Sequence, residues 1–188
     1  MERYTNQLEL LGAAILNRRE ETRLETASPD LDNLRQQYYS LRRKYIKAYD
    51  DLLDAERNPA VNLSKPGNTK IIAEAIQFWE GKKLLNHACS IMTNHVHWVF
   101  ELLGKDAEGK PIYLQDILQS VKRHTANRIN KAEGRVGSLW QKESFDTTIR
   151  DEKHLYYAIE YTLNNPVSAG LVKDRKDWPG SWSGCGDL

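Results

Sequence analysis

The chain has 188 residues, with 27 Lys or Arg against 26 Asp or Glu and a formal net charge of +1. Its length suits one domain with an appendage, and 40% hydrophobic residues are enough for a packed core, which excludes global disorder. The near-neutral charge excludes a uniformly basic nucleic-acid coat but leaves room for a local basic patch.

A few local features of the sequence predict the cellular compartment and whether the chain crosses a membrane. Cys89 and Cys185 form neither a CxxC pair nor a disulfide framework, so a reducing cytoplasm is expected. The charged N-terminus lacks the apolar segment of a secretory signal. The longest uncharged stretch near the middle, residues 84–100, contains three histidines and other polar residues, so no membrane span is predicted.

The first 57 residues are predicted to be a helical elaboration that packs on the core. Apolar side chains recur at steps of three and four from Leu31 to Leu52, which indicates one amphipathic stripe. A loop rich in proline and glycine follows at residues 58–68. The main domain is then predicted over residues 58–188, and the two parts are expected to form one domain overall.

The main domain is predicted to mix helices and strands. The predicted helices span residues 69–79, 114–132 and 151–164. The predicted strands span residues 83–92, 95–101 and 139–149. Thr93-Asn94 forms a tight turn between the first two strands, which makes them an antiparallel hairpin. The last helix is expected to end before Pro166, because the residue before proline is pushed out of the α region. The last twenty residues are expected to be irregular.

The sharpest local feature is His95-Val96-His97. Residues i and i+2 of a strand point to the same face, so both imidazoles project together. Two histidines about 6–7 Å apart along one strand face can share a divalent metal. A polar strand face in a half-solvated sheet is the alternative interpretation.

A second feature is the cluster Tyr156, Tyr157 and Tyr161 on the last predicted helix, followed by Asn165. The last three of these residues are spaced i, i+4 and i+8, which places them on one face if the helix reaches that far. A phenol can be a nucleophile where a metal polarises its target, and a hard cation accepts an amide oxygen. Core aromatics under a capped helix are the alternative.

A third feature is a basic segment. Residues 119–150 carry seven Lys or Arg and three Asp or Glu, a local net charge of +4. Cations beside an exposed aromatic side chain suit a phosphate backbone with unstacked bases, whereas an ordinary solvated helix face is the alternative. The candidate DNA contacts are Lys122, Arg123, Arg128, Lys131, Trp140 and Arg150.

Several motifs in one order carry a family resemblance. Residues 92–97 read MTNHVH, and the later segments read QSVK followed by ANRIN, then GSLWQ, then IRDE, then YTLNNPVSAGLV. They resemble the MPNHVH, QSxK…xxRIN, GxxWQ, DxxIRDE and YIxxNPVxAGLV motifs of the single-tyrosine HUH transposases. The resemblance is closest to the REP-associated tyrosine transposases and runs from about residue 50 to residue 182 of this chain.

The resemblance implies an α+β fold, with an RRM-like central antiparallel sheet, helices on one face, and the histidine pair on a central strand. It implies that His95, His97 and Asn165 bind Mg²⁺ or Mn²⁺. It also implies that Tyr161 is the nucleophile, while Tyr157, one turn earlier, is its rival.

The implied activity is a metal-dependent single-strand DNA endonuclease and strand-transferase that forms a 5′-phosphotyrosine intermediate. The implied partner is single-stranded DNA with hairpin, palindromic elements, bound by a monomer or a homodimer. Residues Lys122, Arg123, Arg128 and Lys131 would hold the strand or a hairpin stem. The protein is expected in the cytoplasm, and at the nucleoid when it is bound to DNA.

The chain departs from the family pattern at three places. Thr93 stands where the family has proline, and Phe145 stands where tyrosine or histidine is frequent. The family also opens with a strand of the type YxVTFRL, which only Tyr4 to Leu11 weakly resembles. A missing first strand supports a second hypothesis, a catalytically impaired relative that binds DNA hairpins without cutting them. An unrelated protein with a chance histidine triplet is the third.

Overall fold

The computed structural model describes residues 7, 9–14, 29–56, 58–142 and 144–184. Residues 1–55 and residues 56–188 form two compact units. None of the described helices has an apolar stretch of the length needed to cross a membrane.

The first unit is helical wherever the structure describes it. Residues 9–14 are helical, and helix α1 spans Pro29–Ala55. Asp30 and Asp32 lie in the first turn of α1, where negative charge complements the helix dipole. The weak strand candidate Tyr4 to Leu11 is helical at its described residues, and the rest of it lies outside them. The packing of this region on the core stays a prediction.

The second unit alternates helices and strands around one sheet. Its helices are α2 (Pro66–Gln77), α3 (Leu114–Ala132) and α4 (Glu152–Ser168), with a 3₁₀ turn at Arg175–Asp177. Its strands are β1 (Leu84–Ile91), β2 (Val96–Leu102) and β3 (Ser181–Ser183). They form an antiparallel sheet in the order β2-β1-β3, which confirms the predicted α+β class.

The predicted hairpin is present between β1 and β2. The two strands pair from Leu84 opposite Leu102 to Ile91 opposite Val96, with a register shift around His87. The backbone N–H of Met92 donates to the carbonyl of His95 at 2.9 Å and closes the turn. The turn therefore places His95 immediately before β2 and His97 as its second residue.

Helices α2 and α3 cover one face of the sheet. The buried side chains of α3 recur every four residues and form one stripe along the helix. They are Ile117, Val121, Thr125 and Ile129. Alternate residues of β2 pack against the same core, namely Val96, Trp98, Phe100 and Leu102. Because side chains alternate along a strand, His97 must point to the opposite face.

Helix α4 lies on that opposite face, where the Tyr161 ring meets the His97 ring. The prediction of helices on one face is therefore wrong for α4. The physical reason is that α4 buries its own side, including Thr162, Asn165 and Pro166, and the other sheet face is already filled by α2 and α3. Helix α4 therefore packs over the sheet face that carries His97.

The predicted strand over residues 139–149 is wrong, because no strand is present in its described residues. The Lys122 ammonium donates to the backbone carbonyls of Gln141 and Lys142, at 2.9 and 3.3 Å. The Ser138 hydroxyl donates to the carbonyl of Trp140 at 2.6 Å. Side chains therefore satisfy backbone groups that a neighbouring strand would otherwise pair.

Helix α4 also runs further than predicted, through Pro166 to Ser168. A proline inside a helix lacks an N–H, so Pro166 cannot donate to the carbonyl of Thr162 four residues earlier. The next turn is kept, because Ala169 N–H donates to the carbonyl of Asn165 at 2.9 Å. Tyr161 and Asn165 are therefore one turn apart within one continuous helix.

The C-terminal strand β3 was not expected from the sequence. It pairs with β1, where Trp182 lies opposite Cys89 and both side chains are buried. Within the described residues, β2 is consequently an edge strand and not the central strand that the resemblance implies. That position agrees with the absence of a family-type first strand from the described residues.

Candidate metal and tyrosine site

The two histidines face each other at the start of β2. The Nε2 atoms of His95 and His97 are 3.0 Å apart, and their ring centroids are 4.7 Å apart. Both side chains are partly buried. The predicted convergence of the two imidazoles on one strand face is therefore present as geometry.

Asn94 orients the first histidine. Its side-chain Oδ1 lies 2.8 Å from His95 Nδ1. A carboxamide oxygen only accepts, so His95 Nδ1 carries the proton and His95 Nε2 keeps its lone pair toward His97. From the sequence, Asn94 was predicted only as part of a turn, and its role beside His95 is seen only in the structure.

The first histidine is held in its neutral form. Burial, together with charge repulsion from the neighbouring His97, lowers the pKa of His95 from 6.5 to about 3. His95 therefore carries no charge at neutral pH. A neutral imidazole is the form that binds a metal ion.

Helix α4 brings a phenol to this pair. The Tyr161 ring meets the His97 ring edge to face, with centroids 5.6 Å apart and planes at 89°. The N-terminus of α4 is fixed by Asp151, whose carboxylate accepts from the His154 N–H at 2.7 Å. Tyr157 lies one turn before Tyr161, and its ring contacts Tyr156 at a centroid distance of 5.5 Å.

Asn165 supplies an unusual buried oxygen one turn after Tyr161. The residue is only 2% exposed, and its Oδ1 atom has no hydrogen-bond partner among the described residues. A buried amide oxygen without a partner destabilises the fold by about 1–3 kcal/mol, so such an atom calls for an explanation.

These donors fit a divalent cation. Two ligands at right angles on a cation with bonds of about 2.1 Å are about 3.0 Å apart, which matches the His95 and His97 nitrogens. The unpartnered Asn165 oxygen is of the type that hard cations accept. Among the described residues no group of three His, Cys, Asp or Glu forms, and Asn165 is the residue that would add a third ligand to the two histidines.

The predicted DNA contacts of α3 are not brought to this site. Helix α3 packs on the other face of the sheet, and Arg123, Arg128 and Lys131 are exposed there. Arg128 also lies 3.7 Å from the Glu74 carboxylate. If these cations contact DNA, they do so from the layer opposite the tyrosine helix.

The remaining predicted contacts differ in their surroundings. Trp140 is partly buried against the core, and its Nε1–H donates to the Thr125 hydroxyl at 2.8 Å. Lys122 holds the 140–142 loop through the two carbonyl contacts described above. Arg150 is exposed and lies immediately before Asp151, the N-cap of the helix that carries the tyrosines.

Substitutions in α3 should separate a loop anchor from a surface cation. Lys122→Ala is expected to lower the free energy of unfolding by about 1–2 kcal/mol, because two carbonyls lose a charged donor. Arg123→Ala is expected to change the free energy of unfolding by less than about 0.5 kcal/mol.

The same variant tests DNA binding. If Arg123 contacts a phosphate, its loss should reduce the log–log salt slope of single-strand binding by about 0.7. Urea denaturation and salt titrations measure both, and an unchanged stability of Lys122→Ala would contradict the anchor role.

Comparison with known proteins gives one informative relative. A stretch of 99 residues is 29% identical to a Haemophilus influenzae protein named as a REP-associated tyrosine transposase. The match covers 49% of this chain and 54% of that relative, so the chain spans about half the length of the protein it matches. No family model matches the chain, and no solved structure does. The similarity confirms the resemblance that the motifs predicted.

Proposed function

Since the chain is related to the REP-associated tyrosine transposases, we propose that it is a transposase in which Tyr161 cuts and rejoins single-stranded hairpin DNA. The observation that carries this proposal is the contact of the Tyr161 ring with His97, beside a second imidazole. His97 on β2 and Tyr161 on α4 are 64 residues apart in the sequence, and the fold brings their rings into contact.

The divalent cation of the proposal is Mg²⁺ or Mn²⁺, and His95, His97 and Asn165 would hold it. When bound, such an ion withdraws charge from a non-bridging oxygen of the scissile phosphate. The protein prepares the donors itself: Asn94 fixes the His95 ring, and the low pKa of His95 keeps that ring neutral. Helix α4 holds the Asn165 oxygen on the same side as Tyr161.

The covalent step is a transesterification. The Tyr161 phenolate oxygen forms a bond to phosphorus, and the bond between phosphorus and the 3′ oxygen breaks. The phenol proton is lost and the leaving 3′ oxygen gains one, so atoms and charge balance without a nucleotide cofactor. The products are a 5′-phosphotyrosine and a free 3′-OH. This 3′-OH, or the 3′-OH of another strand, can then attack the phosphotyrosine, release Tyr161 and rejoin the DNA.

The direct test is a covalent-adduct assay with the full chain. A labelled library of single-stranded hairpins with randomised flanks is incubated with Mn²⁺ and run on a denaturing gel. We expect a protein-linked band that EDTA prevents. Hairpin binding without any adduct, with Mg²⁺ and with Mn²⁺, would contradict the cutting activity and favour the binding relative. Among the described residues β2 lies at the edge of the sheet, where the family resemblance implies a central strand, and this observation favours that second function.

The contact between Asn94 and His95 gives a further prediction. Asn94→Ala is expected to weaken Mn²⁺ binding by about 10–100-fold, because a ligating imidazole that loses its orienting partner is misaligned. Asn94→Asp, which keeps an acceptor at Nδ1, should restore most of the affinity. Titration calorimetry with Mn²⁺ measures both variants.

Thr93 offers the matched control, because it lies in the same turn and its side chain has no role in the proposed site. Thr93→Ala should leave the Mn²⁺ affinity within about twofold. Equal losses in Thr93→Ala and Asn94→Ala would show that the turn, and not the hydrogen bond, sets the affinity.

A further inference from the structure

Helix α4 exposes a cluster of aromatic rings next to the candidate site. Ten large hydrophobic side chains are exposed among the described residues, and three of them fall within six residues of α4. Tyr156, Tyr157 and Tyr161 are 60, 58 and 48% exposed. Clustered exposed apolar side chains are typical of binding surfaces, whereas singly scattered ones are common on any protein.

The rings form part of a directed ridge. Lys153, Tyr157 and Tyr161 are spaced i, i+4 and i+8 within the one continuous helix, with a rise of about 6 Å per step. The far end of the ridge meets His97 through Tyr161. Its near end is Lys153, an exposed cation. The ridge therefore runs from a positive charge, over a ring, to the proposed reaction centre.

The setting of Tyr157 leaves a ring face for a ligand. Tyr156 meets the Tyr157 ring edge to face, with planes at 69°. A T-shaped neighbour supports a ring at its edge or on one side and does not sandwich it. The acidic neighbour Asp151 is engaged at the helix cap, where its carboxylate accepts from the His154 N–H.

We propose that Tyr157 is a stacking site for an unpaired nucleobase of the strand whose phosphate reaches Tyr161, with Lys153 on the adjoining phosphate. This inference rests on the proposed function and adds a binding role to it. Every nucleobase has a π-face, so a tyrosine ring holds single strands with little sequence preference. A lysine ammonium suits a phosphate as a point charge. A single strand is the occupant that the ridge favours, because the ridge ends where a phosphate would react.

The proposal gives Tyr157 a role that differs from the nucleophile role. A stacking role needs the ring and not the hydroxyl, whereas a nucleophile needs the hydroxyl. Tyr157→Phe and Tyr157→Ala therefore separate the two roles. Because Tyr157 is 58% exposed, neither variant should disturb the fold, and circular dichroism checks this.

The experiment measures binding of a fluorescein-labelled oligo-dT 12-mer by anisotropy, with the full chain and without divalent cation so that no cutting occurs. We expect Tyr157→Ala to weaken binding by about tenfold and Tyr157→Phe to stay within about twofold of the wild type. A 12-mer of abasic sites should bind the wild type and Tyr157→Ala equally. Tyr113→Ala removes a 60% exposed tyrosine before α3 and serves as the control, which should not change dT binding.

Equal dT binding by the wild type and Tyr157→Ala would overturn the stacking role. A loss in Tyr157→Phe as large as in Tyr157→Ala would also overturn it, because the hydroxyl would then carry the contact. The outcome is independent of cutting: if the wild type forms no covalent adduct but the dT pattern holds, the stacking site stands and the proposed cleavage fails.

Discussion

Tyr161→Phe is expected to abolish the covalent protein–DNA adduct, by about three orders of magnitude or more, because phenylalanine has no oxygen that can bond to phosphorus. Tyr157→Phe is expected to form the adduct at close to the wild-type level. The structure supports this order of the two tyrosines, since the Tyr161 ring lies 5.6 Å from the His97 ring, whereas the ring contact found for Tyr157 is with Tyr156. Adduct yields on denaturing gels at equal, saturating hairpin concentration provide the measurement.

The same variants carry their own control for folding and binding. Tyr161 is 48% exposed and the variant keeps its ring, so removing the hydroxyl should lower the free energy of unfolding by no more than about 1.5 kcal/mol. Hairpin binding without cutting should therefore survive in Tyr161→Phe. An adduct in Tyr161→Phe together with none in Tyr157→Phe would assign the nucleophile to Tyr157 and contradict the geometry-based choice.

The parts of the site that follow from local periodicity were predictable from the sequence. The period of two along a strand places His95 and His97 on one face, and in the structure their Nε2 atoms are 3.0 Å apart. The period of the helix places Tyr161 and Asn165 one turn apart, and α4 keeps that spacing. Both inferences need only the chain geometry of one element.

The parts that depend on tertiary packing were not predictable. Residues 139–149 have a strand-like sequence, but their described residues form no strand, and the Lys122 ammonium donates to two of their backbone carbonyls. Pro166 indicates a helix end, yet packing of α4 on the sheet keeps the helix intact through it. The burial of Asn165 depends on which sheet face α4 covers, and no local pattern specifies this.

A second large effect is expected at Asn165, where stability and metal binding should respond differently. Mn²⁺ at 100 times its dissociation constant should raise the free energy of unfolding of the wild type by about 2.7 kcal/mol. Asn165→Leu should lose most of that gain, because the amide oxygen is removed. Without metal, the same variant should stay within about 1 kcal/mol of the wild type or exceed it, since the buried Oδ1 has no partner among the described residues to lose. Chemical denaturation with and without Mn²⁺ measures both.

The difference between the two conditions separates a metal ligand from a structural asparagine. A structural Asn165 would lower the stability of the variant equally with and without Mn²⁺, and the paramagnetic resonance signal of free Mn²⁺ would titrate as in the wild type. Asn127→Leu makes the same substitution at an exposed position of α3 and should leave the Mn²⁺ gain intact. If Asn165→Leu also keeps the full gain, the two histidines would bind the ion without the amide. The burial of its oxygen beside Tyr161 would then need a cause other than a cation.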